Sequence, residues 1–316
     1  MLNRRILRIK VFKALYACAE DRSRTLKEAQ AGFEASCEAV RDLYLYMLSF
    51  IAPLTAEARK RIDAAARKFH PTEEDLHPNT KFADNALAPL FNDDEEFQKL
   101  LKKKKLDWEQ QDVLIRNVYD SVRSKDWFAA YLDDPERSLQ RDVKLFIRIF
   151  EEEFVDNQEL EQILEDLNIW WTDDLAYALS WCCRSLEDIA RTGRWSYPPL
   201  YQSELLRKKD PDVESDKDFA DKLLRCAYAR YDEYAAMVAA SVGKWDKDRL
   251  FTTDVVLIAL GLTEAENFPE IPVKVSINEY VEISKYYSTP KSRAFVNGLL
   301  DRLVQQLEEA GRIARN

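Results

Sequence analysis

The first nineteen residues hold five cations, Arg4, Arg5, Arg8, Lys10 and Lys13, and no acid. In a chain whose formal net charge is −10, that local excess is informative. Guanidinium and ammonium groups at this density can neutralise phosphates, with an affinity that falls as salt rises. A solvated helix terminus is the plain alternative. A second set lies late in the chain: Lys274, then Lys291, Arg293 and Phe295. An aromatic ring beside cations is the arrangement on which unpaired bases stack while their phosphates are paired. On sequence alone Phe295 serves equally well as a core residue, and Asn297 as a helix contact. Gly298 interrupts a helical pattern, which points to close backbone packing.

Catalytic chemistry finds no support in the residues. Neither a G-x-G-x-x-G nor a P-loop pattern occurs among only six glycines. The two histidines, His70 and His77, lack the i, i+4 spacing of a helical metal pair and fall in a stretch that reads as a surface loop. Five cysteines with no C-x-x-C fit buried, reduced thiols rather than a zinc or redox site. The expectation is therefore a non-enzymatic protein without metal or cofactor. No apolar run reaches the ~18 residues of a membrane span, and Arg8, Lys10 and Lys13 interrupt the N-terminal apolar stretch where a signal peptide would be continuous. A cytoplasmic location is expected.

These residues must be positioned by helices. Hydrophobic residues make up 46% of the 316 positions, with six glycines and eleven prolines, and long amphipathic runs dominate. The fold class is all-α. Leu7, Val11, Ala14, Leu15 and Cys18 form a core-facing stripe on the first helix. Residues 71–96 and 191–216 read as loops, with helical patterns between and after them. Lys102 to Lys105 read as a solvated face opposite the acidic run Asn92 to Glu96. In the stretch Ile271 to Leu303 a short extended segment leads into two helical patterns. These are separated by Ser288-Thr289-Pro290, with Pro290 at the first helical position and Ser288 or Thr289 as cap.

The letters of that stretch carry more than its periodicity. V-K-V-S-I-N-E-Y-V-E-I, followed by S-x-x-F-V-N-G-L-L-D, resembles the C-terminal half of the NusB family. Arg4-Arg5-x-x-Arg8 leading to Ala14-Leu15-Tyr16 resembles that family's arginine-rich first helix. Residues 218–238 and 245–262 resemble the helices before the signature. The likeness covers residues 1–20 and 218–306. It implies a NusB-like helical bundle enlarged by additional helices: 1–20 a basic helix packing on the C-terminal region, 21–217 a helical insertion, and 218–316 the NusB-like domain. It also implies a transcription antitermination factor that binds boxA-type single-stranded RNA together with NusE, a small-subunit ribosomal protein. Such a factor acts indirectly on the RNA polymerase elongation complex, on ribosomal RNA operons. Arg4, Arg5, Arg8, Tyr16, Phe295 and Asn297 are the positions the resemblance assigns to RNA; Lys10, Lys274, Lys291 and Arg293 are added by their charge. The alternative is a helical protein-interaction scaffold that has lost RNA binding. Around Lys291 this chain has Thr-Pro-Lys-Ser where acidic residues are common in the family, which leaves affinity there open.

Overall fold

The computed structural model describes residues 1–242, 250–289 and 292–313. Apart from one parallel bridge between Leu2 and Tyr201, the described residues form no β structure, and the protein is all-α. The chain divides into two compact units, 1–37 with 199–316, and 38–198.

The first unit is built around a helix that is buried on every side. In helix α14, Thr252–Asn267, each residue from Asp254 to Ala265 is buried. A helix without a polar face must be surrounded. Packed on it are α1 (Arg4–Glu20), α13 (Asp216–Ser241), α15 (Val273–Tyr287) and α16 (Ser292–Glu309). Gly261 is the point of closest approach: a Cβ there would lie 2.6 Å from Leu300 Cδ2 of α16. Gly298, by contrast, is exposed, and a Cβ there would meet nothing within 4 Å. The close packing expected at Gly298 is therefore found at Gly261 instead, because the glycine one helix over is the one that faces the core.

The chain start is held by backbone bonds. The terminal amine of Met1 donates to the Pro199 carbonyl at 2.5 Å, and Leu2 N–H donates to the Leu200 carbonyl at 2.6 Å. The Asn3 side chain then accepts from Ile6 N–H, which satisfies one orphan donor of α1. The short segment expected to be extended ends at Pro272, and Val273 to Ser276 form the first turn of α15. Pro272 precedes the helix at φ −57°, a geometry that leads into it without a missing hydrogen bond. The turn after α15 is tied down where Ser288 donates to the buried Asp254 carboxylate of α14. The proposed first-turn position of Pro290 lies outside the described residues.

In the second unit, the helices α3 (Ile51–Ala66), α5 (Leu87–Asn92), α7 (Asp112–Arg123), α9 (Leu139–Glu153) and α11 (Leu175–Thr192) surround an aromatic core. Tyr46 stacks on Trp108 with ring centroids 4.0 Å apart and on Trp171 at 5.3 Å, and Phe50 meets Trp108 edge-on. Such ring pairs add to the area they bury. The expected loop 71–96 contains short helices. Thr72 and Asp75 form a capping box that starts Glu73–Leu76. Pro89 sits in the first turn of α5, where its missing N–H has no helical partner to lose. Asp94 caps Glu95–Lys104, so the acidic run begins that helix instead of facing it. Of the lysine block, Lys104 pairs with Glu38 and Asp42. Ser203–Arg207 is likewise helical inside the expected loop 191–216.

Candidate nucleic-acid interface

The arginines of α1 have three different fates, set by their angle around the helix. Arg8 points inward. It is 4% exposed, and its Nε and Nη2 donate to both oxygens of Glu264 at 2.8 and 2.7 Å. Glu264 is wholly buried in α14 and also accepts from Ser276 Oγ at 2.7 Å and Tyr280 Oη at 2.9 Å. Burial by itself lowers the Arg8 pKa, but the Glu264 hydrogen bonds and the neighbouring charges outweigh it, so the net shift is upward. Burial also drives the Tyr280 phenol well above its ordinary range. Arg4 is one turn earlier. It reaches Glu214 at 2.5 Å and Asp216 at 3.4 Å, and stacks on Phe219 at 4.8 Å. Arg8 lies over the same ring at 5.1 Å.

Arg5 alone of the three carries its charge at the surface, with a side chain 52% exposed. It grips Glu279 of α15 through two bonds of 2.9 and 2.6 Å. That hydrogen bonding holds the Glu279 carboxyl below its usual range. Lys10 is 1% exposed, on the inward side of α1. It follows Leu7 by three residues, a spacing that puts both on one side of the helix. A buried ammonium and a buried, fully paired guanidinium have no open face for phosphate. Arg8 and Lys10, expected at the interface, are therefore placed in the interior.

The exposed candidates gather around the far end of α15. Glu282 is held below the ordinary carboxylate range first by the Lys285 hydrogen bond, and also by the charges of Arg293 and Arg5. Of these cations only Lys285 bonds to Glu282, while Arg5 is held by Glu279 one turn earlier. Aromatic rings lie close by in the chain. Phe12 of α1 sits 5.3 Å from Tyr287, Lys13 lies over the Tyr287 ring at 5.5 Å, and half-buried Tyr16 is 6.2 Å from Phe12. Tyr286 is 81% exposed. Phe295 is half-buried in the first turns of α16, while Arg293 and Asn297 are exposed; Asn297 donates to Asp301 at 3.2 Å. Lys274 is exposed at the opposite end of α15 and is not part of this group. Lys291 lies outside the described residues.

Sequence reasoning counted Lys13 in the basic cluster without assigning it to RNA, and missed Lys285, Tyr286 and Tyr287 as candidates. The doublet Tyr286-Tyr287 ahead of Ser288-Thr289-Pro290 was the available signal, since two adjacent rings at a helix end cannot both face inward.

An all-helical bundle of this kind, with basic and aromatic side chains from three helices converging at one end, has the makings of a binding protein. The sequence comparisons give its family. The pattern described as the NusB family matches residues 196–305. The chain is 36% identical over 109 residues to the transcription antitermination protein NusB of Salinibacter ruber, an overlap covering 34% of this chain and 68% of that protein. With NusB of Myxococcus xanthus it shares 38% identity over 102 residues, 32% of this chain and 71% of the relative. With that of Chloroherpeton thalassium it shares 34% over 103 residues, 49% of the relative. No solved structure matches the chain. The chain belongs to the NusB family. The matched stretch includes Lys274, Lys291, Arg293, Phe295 and Asn297 and stops short of α1.

Proposed function

We propose that the protein is a non-catalytic transcription antitermination factor that binds boxA-type single-stranded RNA together with NusE and supports transcription of ribosomal RNA operons. The grouping of Arg5 on Glu279, Lys285 on Glu282 and Lys13 over the Tyr287 ring, which sets cations of α1 and α15 beside an aromatic face, is the observation that carries this reading. Cations neutralise phosphates there while rings of different helices offer stacking faces, the combination that single strands need. Arg5, Lys13, Tyr16, Lys285, Tyr286, Arg293, Phe295 and Asn297 form the proposed surface, and Lys274, at the opposite end of α15, stands apart from it. Arg4, Arg8 and Lys10 act through the fold. The bare backbone of exposed Gly298 beside Asn297 leaves room for a partner to approach closely. No helix among the described residues is long and apolar enough to cross a membrane, and a cytoplasmic factor fits that. Residues 38–198 are proposed as an accessory unit added to the family domain.

A protein-interaction scaffold is the second reading. It is favoured by the burial of Arg8 on Glu264 and the pairing of half-buried Arg4 with Glu214 and Asp216, which neutralise two of the α1 arginines.

Fluorescence anisotropy with a short boxA-like RNA, with and without NusE and at two salt concentrations, tests the choice. The expected result is salt-sensitive binding that NusE tightens. Arg5→Glu with Arg293→Glu should weaken it, and Phe295→Ala should cost ~1–3 kcal/mol if a base stacks there. No binding in any condition, or binding indifferent to these changes in folded variants, refutes the RNA reading.

A further inference from the structure

The second unit carries a surface unlike the RNA face. From Glu151 to Asp174 the chain holds ten acidic residues and no Lys or Arg. Helix α10, Gln158–Leu167, buries Leu160 and Leu164 and turns Glu161, Glu165 and Asp166 outward. None of these three forms an ion pair with a described residue. Asn168 then ends the helix, and its side chain accepts from Trp170 N–H at 3.0 Å to start a 3₁₀ turn, Ile169–Trp171. That turn sorts its side chains in opposite directions. Trp171 goes inward, donating to the Ala39 carbonyl at 2.9 Å. Leu167, Ile169 and Trp170 go outward and are 51%, 67% and 39% exposed. Three large apolar side chains in four residues, left in water beside unpaired carboxylates, are a costly arrangement for a surface with no partner.

Next to this ridge is a cavity of about 300 Å³ lined by Tyr46, Asp107, Gln111, Leu167, Asn168 and Trp171. The Tyr46 hydroxyl is buried and has no hydrogen-bond partner. Such a group lacks what nearly all buried hydroxyls have. Lys104 and Lys105 also border the cavity, but Lys104 is held by Glu38 and Asp42.

We propose that Leu167, Ile169 and Trp170, with the carboxylates of α10, form a docking site for a basic amphipathic helix of another protein, one of whose Lys or Arg side chains enters the cavity toward Tyr46 and Asp107. Apolar residues of that helix cover the ridge, as in other helix-on-surface recognition. Its cations meet Glu161, Glu165 and Asp166, which gives steering as well as register. The same carboxylates repel nucleic acid and anionic lipid, so the occupant is a protein.

The test uses the full chain and a labelled Lys/Leu amphipathic peptide, with a Glu/Leu peptide of the same pattern as control. Anisotropy at physiological salt should show binding of the Lys/Leu peptide alone, with hydrogen-exchange protection centred on residues 158–171. Trp170→Ser and, separately, Glu165→Lys with Asp166→Lys should each weaken it by about tenfold or more, a hot-spot-sized effect. All these side chains are exposed, and circular dichroism matching that of the parent chain checks that each variant is folded. No binding, protection elsewhere, or weakening in only one of the two variants overturns the proposal. Binding to phosphatidylserine vesicles, or self-association of the free chain abolished by Trp170→Ser, overturns it in favour of a membrane or a second copy. Affinity for RNA should be unchanged in Trp170→Ser, which separates failure here from failure of the RNA reading.

Discussion

Replacing Arg8 by Met should unfold the first unit more readily than any change to the exposed arginine beside it. The guanidinium is 4% exposed and meets a carboxylate with no exposure at all. Removing it leaves Glu264 with only the Ser276 and Tyr280 hydroxyls as donors. Breaking one side of a buried pair costs about 3–5 kcal/mol, because a charge is left unpaired in a dry interior. The stack on Phe219 is lost too, worth ~0.5–2 kcal/mol. A loss of that size is a large share of the 5–15 kcal/mol that typically holds a domain together. Arg5→Met is the internal control, since its half-exposed pair with Glu279 is worth ~0–1 kcal/mol. Adding Glu264→Gln to Arg8→Met should recover part of the loss, about 1–3 kcal/mol, by removing the stranded charge while keeping an acceptor for the hydroxyls. Urea unfolding followed by circular dichroism gives the stabilities, and hydrogen exchange of the α14 amides assigns the transition to this unit. Equal, small effects of Arg8→Met and Arg5→Met, or a double variant less stable than Arg8→Met, would refute the reasoning. So would an Arg8→Met protein of unchanged stability that binds RNA more weakly, since Arg8 would then be an interface residue after all.

The Arg5 hydrogen bonds hold the Glu279 carboxyl below the unfolded value of about 4.3, so in the acid range the folded chain binds fewer protons than the unfolded one. This contribution is fully present above the unfolded value and is lost as pH falls through the lowered one. Glu279→Gln should therefore flatten the acid limb of stability against pH, and an unaltered limb by acid titration of unfolding would count against the tie. Gly298 and Gly261, both in α-helices, should respond with opposite sign. Gly298→Ala, in open space, should raise stability by ~1 kcal/mol through helix propensity. Gly261→Ala must displace the buried Leu300 at an overpacking cost of ~1–3 kcal/mol that exceeds the same gain. Thermal melts of the two variants that shift in the same direction would contradict this.

The all-α class was legible because the apolar residues recur at helical spacing and glycine is scarce. The family resemblance rested on the Ile271 to Leu303 stretch, whose letters are specific over a long run. Of the stripe Leu7, Val11, Ala14, Leu15 and Cys18, all but the half-buried Ala14 are buried, so it announced which side of α1 faces inward. What the chain alone left open was the use of each cation. Arg4, Arg5 and Arg8 are chemically identical, and only the carboxylates waiting at Glu214, Asp216, Glu279 and Glu264, more than two hundred residues on, decide which are consumed. The same holds for the glycines: a missing side chain matters at Gly261 because Leu300 of another helix fills its place, and nothing near Gly261 in sequence says so. Short helices inside 71–96 and 191–216 escaped notice because a single turn shows no period; capping residues such as Thr72, Asp75 and Asp94 were the only local sign. Local pattern determined which elements form and which faces are apolar, since those depend on neighbours three or four residues away. Tertiary structure decided which charges are buried in pairs and which remain at the surface, since burial of a charge depends on a partner that only the folded chain supplies.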